Sequence, residues 1–387
     1  NNKDLENARL NIEVAHANML GARLSYLPSL ALAPQLSGSS AGGSKPSWSY
    51  QIPLSASWEV DIFGKILNNK RSAEAAHAQT KYYAQAVRSQ IIGGVANCYY
   101  AISALEAQLQ LQRSTAESWE RSVQMMADMK EAGFTNEAAV VQSRAQLYSI
   151  QASIRSLESS AEEAHYTLSL LLNQMPQRWA IEPGLSLEMP DGFHSGVPMA
   201  ALSARPDIHA SERALAIAYY ATNSARAAFY PGLTITANGG WTDLIGNVVR
   251  SPKHWFYNLG ASLAAPLFAR GQNIARLKAT KAQQEQALNN FEYAIMSAAA
   301  EVGNALTAYA NNEARIELLS KQTEQMGRAV DITETLFRYP SSTQSSTYLE
   351  VLTAQQNYLA VQMNLINSTL ERTRAIVNLY QSLGGGR

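Results

Sequence analysis

The sequence predicts a mixed α/β membrane protein in which long helices alternate with pairs of amphipathic strands. Three observations support this class: apolar and polar residues alternate strictly in several stretches, the helical runs are far longer than those of globular domains, and the whole arrangement occurs twice. No apolar run approaches the roughly 18 residues of a transmembrane helix. A membrane-spanning form must therefore be a closed barrel of strands.

The clearest strand covers 48–60, where every even position is apolar or aromatic and the odd positions are polar apart from Pro53. Aromatic residues near both ends of the apolar face are typical of the interfacial girdles of outer-membrane barrels. The alternative is a strand that covers the core of a soluble protein. With the second hairpin, the residues expected to face lipid are Trp48, Tyr50, Ile52, Leu54, Trp58, Trp255, Tyr257 and Leu259. Those expected to face inwards are Ser49, Gln51, Ser55, Asn258 and Ser262.

Heptad spacing dominates the rest of the chain. From about 67 to 130 no proline occurs, and apolar residues recur in alternating steps of three and four, as in coiled coils. Gly133 interrupts this run, and a second helix with the same spacing returns. The pattern recurs after Gly271. These segments therefore predict two hairpins of long helices.

The order of elements predicts an internal duplication, because Pro28 corresponds to Pro231 and Phe63 to Phe268. The first predicted repeat is 1–203, with a helix, a β-hairpin at 29–62, a long helix hairpin at 66–173 and a linker at 174–203. The second is 204–387, with a helix, a β-hairpin at 232–268 and a long helix hairpin at 271–383.

Catalytic, cofactor and metal chemistry are not indicated. The formal net charge is zero, no nucleic-acid motif or basic patch appears, and the histidines lack metal-ligand spacing. Cys98, the only cysteine, is expected to be a small core residue, and Asp207 to sit in the first turn of a helix. Met125, Met126 and Met129 would suit copper, but helix packing is the expectation. We expect neither an enzyme nor a cofactor.

Four motifs resemble a known family. They are ARPDIHASER at 204–213, ARAAFYP at 225–231, WEVDIFGK at 58–65 and YLEVLTAQQ at 348–356. In this order, and spread over most of the chain, they are similar to motifs of the TolC-like outer-membrane factors, closest to the OprM branch. The YPSS sequence at 339–342 departs from the glycine turn usual in that branch.

The resemblance implies a homotrimer in the Gram-negative outer membrane. Each chain would give four strands to one transmembrane barrel, and its helices to a coiled-coil tunnel through the periplasm, with the linker in an equatorial belt. Four strands are indeed too few to close a barrel alone. Members are often lipid-anchored through an N-terminal cysteine, and such an anchor would lie upstream of Asn1 in a longer precursor.

The implied function is an exit duct that passively conducts drugs, toxic compounds or metal ions. Its partners would be a periplasmic adaptor (membrane fusion protein), an inner-membrane transporter of the proton-driven RND type and outer-membrane lipid, with no nucleic acid. Two alternatives remain open. One is the exit duct of a type I protein secretion system, and the other is a soluble coiled-coil scaffold.

The resemblance also implies functional residues. The adaptor-docking tips would be Gly133, Phe134 and Thr135, and Pro340, Ser341 and Ser342. In OprM-like channels a leucine and an aspartate one turn later line the closed aperture, and these correspond here to Leu349 and Thr353. Since threonine replaces the acid, closure is expected to depend on leucine packing and on tip contacts of Arg338 and Tyr339. The alternative is that Leu349 is an ordinary heptad core residue.

Overall fold

The computed structural model describes residues 2–40, 42, 47–189, 199–244, 255–266, 268, 270–339 and 345–385. The elements of these residues, in chain order, are α1 (Lys3–Leu24), β1 (Ser29–Leu32), β2 (Gln35–Ser39), β3 (Ser47–Val60), α2 (Lys65–Glu131), α3 (Glu137–Leu171), a 3₁₀ helix (Met199–Ala204), α4 (Pro206–Ala227), β4 (Gly232–Leu244), β5 (Trp255–Ala264), α5 (Gln272–Arg338) and α6 (Tyr348–Ser382). Within these residues, no helix is both long and apolar enough to cross a membrane.

The helix lengths repeat along the chain. Helices α1 and α4 have 22 residues each, α2 and α5 have 67 each, and α3 and α6 have 35 each. Equal lengths in equal order confirm the mixed α/β class with an internal duplication. The exact limits of the two sequence repeats stay a prediction.

The strands form one antiparallel sheet in the order β1-β3-β4-β5, with β2 also pairing with β3. The single first strand that the sequence predicted is thus divided into β1 and β2. Prolines explain the division. The Ala33 amide donates to the Pro53 carbonyl at 3.2 Å, but Pro53 has no N–H to return the bond, and Pro34 also lacks one. Both segments keep the same register on β3.

The register collects the apolar residues of all strands on one face. Leu54 lies opposite Leu32 and Gly239, and Gly239 lies opposite Tyr257, so the alternation of each strand is in phase with its neighbours. The eight residues expected to face lipid share this face, and seven of them are 37–74% exposed: Trp48, Ile52, Leu54, Trp58, Trp255, Tyr257 and Leu259. The other face carries mainly serine, threonine, asparagine and glutamine.

Side-chain caps start three of the long helices. Both Asp61 carboxylate oxygens accept backbone N–H groups, from Ile66 at 3.1 Å and Leu67 at 2.7 Å, at the start of α2. Asn136 caps α3. Thr347 and Glu350 form a capping box at α6, and the Thr347 backbone N–H lowers the pKa of Glu350.

The chain divides into two compact units. Unit 1 contains Asn1–Glu6, Gln85–Arg205 and Ile295–Arg387, and unit 2 contains Asn7–Ala84 and Pro206–Ala294. The sheet lies in unit 2. In unit 1 a core cluster joins α2, α3 and α6, with Trp119 only 3% exposed among its members Ala116, Trp119, Leu147, Ile150 and Leu352.

Arg205 is a buried side chain that links the end of α6 to α5 within unit 1. Its guanidinium donates to the Ser382 carbonyl at 2.9 Å, at the end of α6, and to a Glu301 carboxylate oxygen at 2.7 Å on α5. The side chain thus satisfies a carbonyl that the helix end leaves open. Pro206 begins α4 and Asp207 lies in its first turn, as the sequence predicted.

Neighbouring glycines in β4 give a testable contrast. A β-carbon on Gly240 would collide with the Ile52 carbonyl oxygen and approach the Pro53 Cα to 2.8 Å, whereas at Gly239 the nearest atom is the Phe256 carbonyl oxygen at 3.6 Å. We expect Gly240→Ala to destabilise the sheet by about 1–3 kcal/mol and Gly239→Ala to leave it unchanged. Thermal unfolding in detergent, followed by tryptophan fluorescence, measures both. Equal midpoints for the two variants would contradict this packing.

Candidate functional site

A glycine closes the turn between α2 and α3. Gly133 has φ = +78°, a conformation that favours glycine, and its amide donates to the Lys130 carbonyl at 3.0 Å. The Phe134 amide donates to the Met129 carbonyl at 2.8 Å. Lys130 and Glu137 form an ion pair across the turn, and this hydrogen bond lowers the pKa of Glu137. The turn is therefore well defined, as a docking tip requires.

An apolar stripe extends from this turn along α3. Phe134, Val141 and Tyr148 are 79%, 54% and 65% exposed and follow one another at intervals of seven residues. Val141 and Tyr148 lie on one side of α3, as in a coiled-coil seam, and Phe134 lies in the turn just before this helix. We call these three residues the tip stripe. The sequence analysis identified Phe134 but missed Val141 and Tyr148. It followed the heptad pattern of the residues that are buried on α3, such as Leu147 and Ile150, and not the pattern of the exposed ones. Thr135 is half-buried.

The second turn is described only in part. Pro340, Ser341 and Ser342 lie outside the described residues. Arg338 ends α5, and its exposed guanidinium is 3.7 Å from a carboxylate oxygen of the half-buried Glu334. Tyr339 is 78% exposed.

The start of α6 separates the candidate aperture residues from the core. Leu349 is 56% exposed and Thr353 is exposed, whereas Val351 and Leu352 are 5% and 4% exposed. Leu352, and not Leu349, belongs to the buried core cluster of the chain, and the choice between an aperture residue and a heptad core residue for Leu349 stays a prediction. The Thr353 hydroxyl donates to the Leu349 carbonyl at 2.8 Å. One turn of α6 therefore presents both side chains away from the chain's own core.

Tyr348 anchors this turn. Its hydroxyl shares a hydrogen bond with the Ser143 hydroxyl on α3, and its ring packs against the Trp119 cluster and lies 5.9 Å from the ring of Phe337 on α5. Burial raises the pKa of Tyr348. The residue immediately before Leu349 is thus held by three other helices.

Amide side chains tie α6 to its neighbours farther along. Gln356 donates to Gln146 of α3 at 2.7 Å, and Gln355 donates to Glu334 of α5 at 2.6 Å. A third bond joins Gln108 of α2 to Asn367 at 2.7 Å. These bonds set the rotation of α6 about its axis, and with it the direction in which Leu349 and Thr353 point.

Metal-ligating residues are not gathered in this region. Among the described residues, no group of three or more His, Cys, Asp and Glu could hold a metal ion. Met126 is fully buried, in agreement with helix packing. The Cys98 thiol contacts the Ala164 carbonyl at 3.2 Å, and burial raises its pKa.

Comparison with known proteins gives the same family over nearly the whole chain. A family model described as outer membrane efflux protein matches residues 1–174 and 197–385. The chain is 32% identical over 341 residues to the pyoverdine export outer membrane protein OpmQ of Pseudomonas aeruginosa, covering 87% of this chain and 70% of that protein. It is 27% identical over 405 residues to the cation efflux system protein CusC of Escherichia coli K12, covering 100% of this chain and 84% of that protein.

A solved structure of the outer-membrane channel OprN superposes with a TM-score of 0.90 at 25% identity, over 100% of this chain and 87% of that one. The fold and the family resemblance are therefore confirmed together. Both the amphipathic sheet and the long helix hairpins are those of an outer-membrane channel. The chain belongs to the outer membrane efflux protein family.

Proposed function

We propose that this chain is the outer-membrane exit duct of a tripartite efflux pump and conducts small molecules passively. The observation that supports it best is the sheet. One face is continuous and apolar across all strands, and the other is polar, as a barrel wall between lipid and a water-filled duct requires. A soluble scaffold would have to cover Trp255, Tyr257 and Leu259, which are 66–74% exposed.

Closure of the barrel requires further copies of the chain. The sheet leaves one edge at β1 and β2 and another at β5. Unpaired N–H and C=O groups at such edges are costly in hydrocarbon. The smallest membrane barrels have eight strands, so a single chain cannot close one. The family resemblance favours a homotrimer among the possible assemblies.

Relatives of similar identity carry different cargoes. OpmQ is named for pyoverdine export and CusC for cation efflux. Because related ducts are named for unlike cargoes, we assign substrate selection to the partners of the duct, which favours a passive role without catalysis. We propose an inner-membrane transporter, of the RND type, joined through a periplasmic adaptor. A type I secretion duct is the second candidate, and it would need the same tips.

The tip stripe is the proposed adaptor contact, and Leu349 with Thr353 the proposed aperture. An adaptor's helices can bury Phe134, Val141 and Tyr148 as an additional coiled-coil seam. Around a threefold axis, the exposed turn of α6 would bring three leucines together. Three threonines repel less than three carboxylates would, so leucine packing dominates the closed state. Adaptor binding would select an untwisted, open arrangement of these helices.

The orientation of the sheet can be tested with adjacent residues. Leu54→Arg should cost about 2–4 kcal/mol near the middle of the membrane, because the charge would face lipid. Ser55→Arg, which faces the duct, is the matched control. The yield of heat-resistant oligomer in outer-membrane fractions measures the difference. If both variants assemble equally well, the apolar face does not meet lipid.

The tip stripe can be tested by complementation. In a strain lacking its own exit duct but supplied with a cognate transporter and adaptor, the wild-type chain should restore drug resistance. Tyr148→Ala should reduce both resistance and adaptor co-purification about tenfold, since an exposed residue at a contact affects binding more than folding. The control is Tyr166→Ala, an exposed tyrosine farther along α3. Full resistance with Tyr148→Ala would argue against this docking surface.

The aperture can be tested by cross-linking. Thr353→Cys in a Cys98→Ser background should form disulfides between copies on oxidation, because the side chains would meet at the axis. Efflux should stop, and reduction should restore it. The Cys98→Ser parent should show neither effect. If Thr353→Cys runs as a monomer on non-reducing gels while native oligomers persist, the residue does not line a closed aperture.

A further inference from the structure

A trough lies on the apolar face of the sheet, with a volume of about 730 Å³. Its floor is formed by three small neighbouring residues, Ala56, Ala237 and Gly239. Ala56 lies opposite Ala237, and Gly239 is two residues farther along β4. Leu54 on β3 and Tyr257 on β5 both lie opposite Gly239, and these wall residues are 53% and 74% exposed. We call this hollow the strand trough.

Gly239 leaves a space that the fold itself does not need. Its φ is not positive, so the backbone does not favour glycine there. Among the described residues, the atom nearest to a β-carbon at this position is the Phe256 carbonyl oxygen at 3.6 Å, an ordinary contact. Gly240 differs, because a β-carbon there would collide with the Ile52 carbonyl oxygen. A glycine inside a strand often marks the close approach of a ligand. Gly239 therefore indicates an occupant from outside the chain.

The width of the trough at Gly239 suits a single hydrocarbon chain. Leu54 and Tyr257 belong to β3 and β5, which are two strand spacings or about 10 Å apart. Their side chains narrow this gap further. A transmembrane helix, with a diameter of about 10–12 Å, is too wide to reach the floor. An extended acyl chain can enter, so lipid is favoured over another protein.

The length of the trough matches one leaflet of a membrane. Larger residues follow at both ends, with Trp58 opposite Ile235 at one end and Ile52 opposite Trp241 at the other. From Ile235 to Trp241 the strand β4 extends by about 20 Å at its usual rise. Strands in membranes tilt by about 45°, and the hydrocarbon core is roughly 30 Å thick. The trough therefore covers about half of the core.

Aromatic rings form one end of the trough. Trp241 lies opposite Trp255, and the Trp255 ring stacks on Tyr257 with centroids 5.8 Å apart. The two tryptophans are 52% and 66% exposed. Indole N–H groups at a membrane interface can donate to polar groups of lipids. The trough thus offers hydrocarbon along its length and hydrogen-bond donors at this end, which fits a lipid whose chain extends inwards from its polar group.

The aromatic end lies away from the helices. Helix α4 precedes β4 and α5 follows β5, so both helices join the opposite ends of these strands. The helices of this family extend into the periplasm. With that orientation, Trp241 and Trp255 lie in the outer leaflet, whose main lipid in Gram-negative bacteria is lipopolysaccharide.

We propose that the strand trough binds one saturated acyl chain of lipid A, the lipid part of lipopolysaccharide. The chain lies over Ala237 and Gly239, and its carbonyl group accepts a hydrogen bond from Trp241 or Trp255. A straight, saturated chain follows the strand, and close van der Waals contact with the floor and walls holds it. This rests on the proposed function, because it requires the apolar face to meet lipid.

Native mass spectrometry of the detergent-purified oligomer tests the proposal, with lipid A and an unsaturated phosphatidylethanolamine added separately. The wild type should retain lipid A and release phosphatidylethanolamine. Gly239→Leu fills the trough and should lose the lipid A adduct. Ala237→Leu fills it from the neighbouring position and should do the same. The control is Ala261→Leu, which adds an equal side chain to the same face beyond the trough, opposite Ile235, and should keep the adduct.

Three results would overturn the proposal. Both filling variants could assemble and keep the lipid A adduct. The control could lose the adduct as well, which would indicate unspecific coating of the apolar face. The wild type could retain phosphatidylethanolamine equally well, which would assign the trough to phospholipid. The efflux assay of the wild type is read separately. Failed efflux with trough-dependent binding of lipid A rejects the duct and retains the trough, and normal efflux without the adduct rejects the trough alone.

Discussion

The rest of the structure depends on one constraint: backbone hydrogen-bonding groups cannot remain unpaired against hydrocarbon. Within the chain, β3 and β4 satisfy this constraint over most of their length, because each has strands on both sides. The strands β1, β2 and β5 do not. The alternation of side chains gives the sheet one apolar face for lipid. The edge strands, however, leave backbone N–H and C=O groups unpaired in a single chain. Assembly of copies is then a condition of the sheet's existence in a membrane.

A second constraint concerns the helices, because the rotation of α6 about its own axis is fixed by its contacts. Its apolar side fills the core through Leu352, and hydrogen bonds from Tyr348, Gln355 and Gln356 fix its direction against α3 and α5. Leu349 and Thr353 point away from the core as a consequence. A change in these polar contacts would rotate Leu349 and Thr353 without unfolding the core, as the proposed opening of the aperture would require.

Periodicity explains how much of the fold the sequence predicts. A period of two identified the amphipathic strands, and heptads identified the long helices, because both patterns report directly which side of an element is buried. The division of the first strand escaped prediction, since it depends on Pro53 lying opposite Ala33 across the sheet, beside Pro34. The tie made by Arg205 to Ser382 escaped for the same reason: its partners are far apart in sequence. The tip stripe escaped prediction because α3 carries two sets of apolar residues at heptad spacing, one buried and one exposed, and the sequence does not distinguish them.

Multi-angle light scattering of the protein in mild detergent measures the edge constraint most directly. After subtraction of detergent, a closed barrel in this family predicts three times the chain mass of 42.2 kDa. The mass should persist on dilution, because separation would expose the edges of β1, β2 and β5 to the detergent's hydrocarbon. A stable, folded monomer of 42.2 kDa would contradict the account.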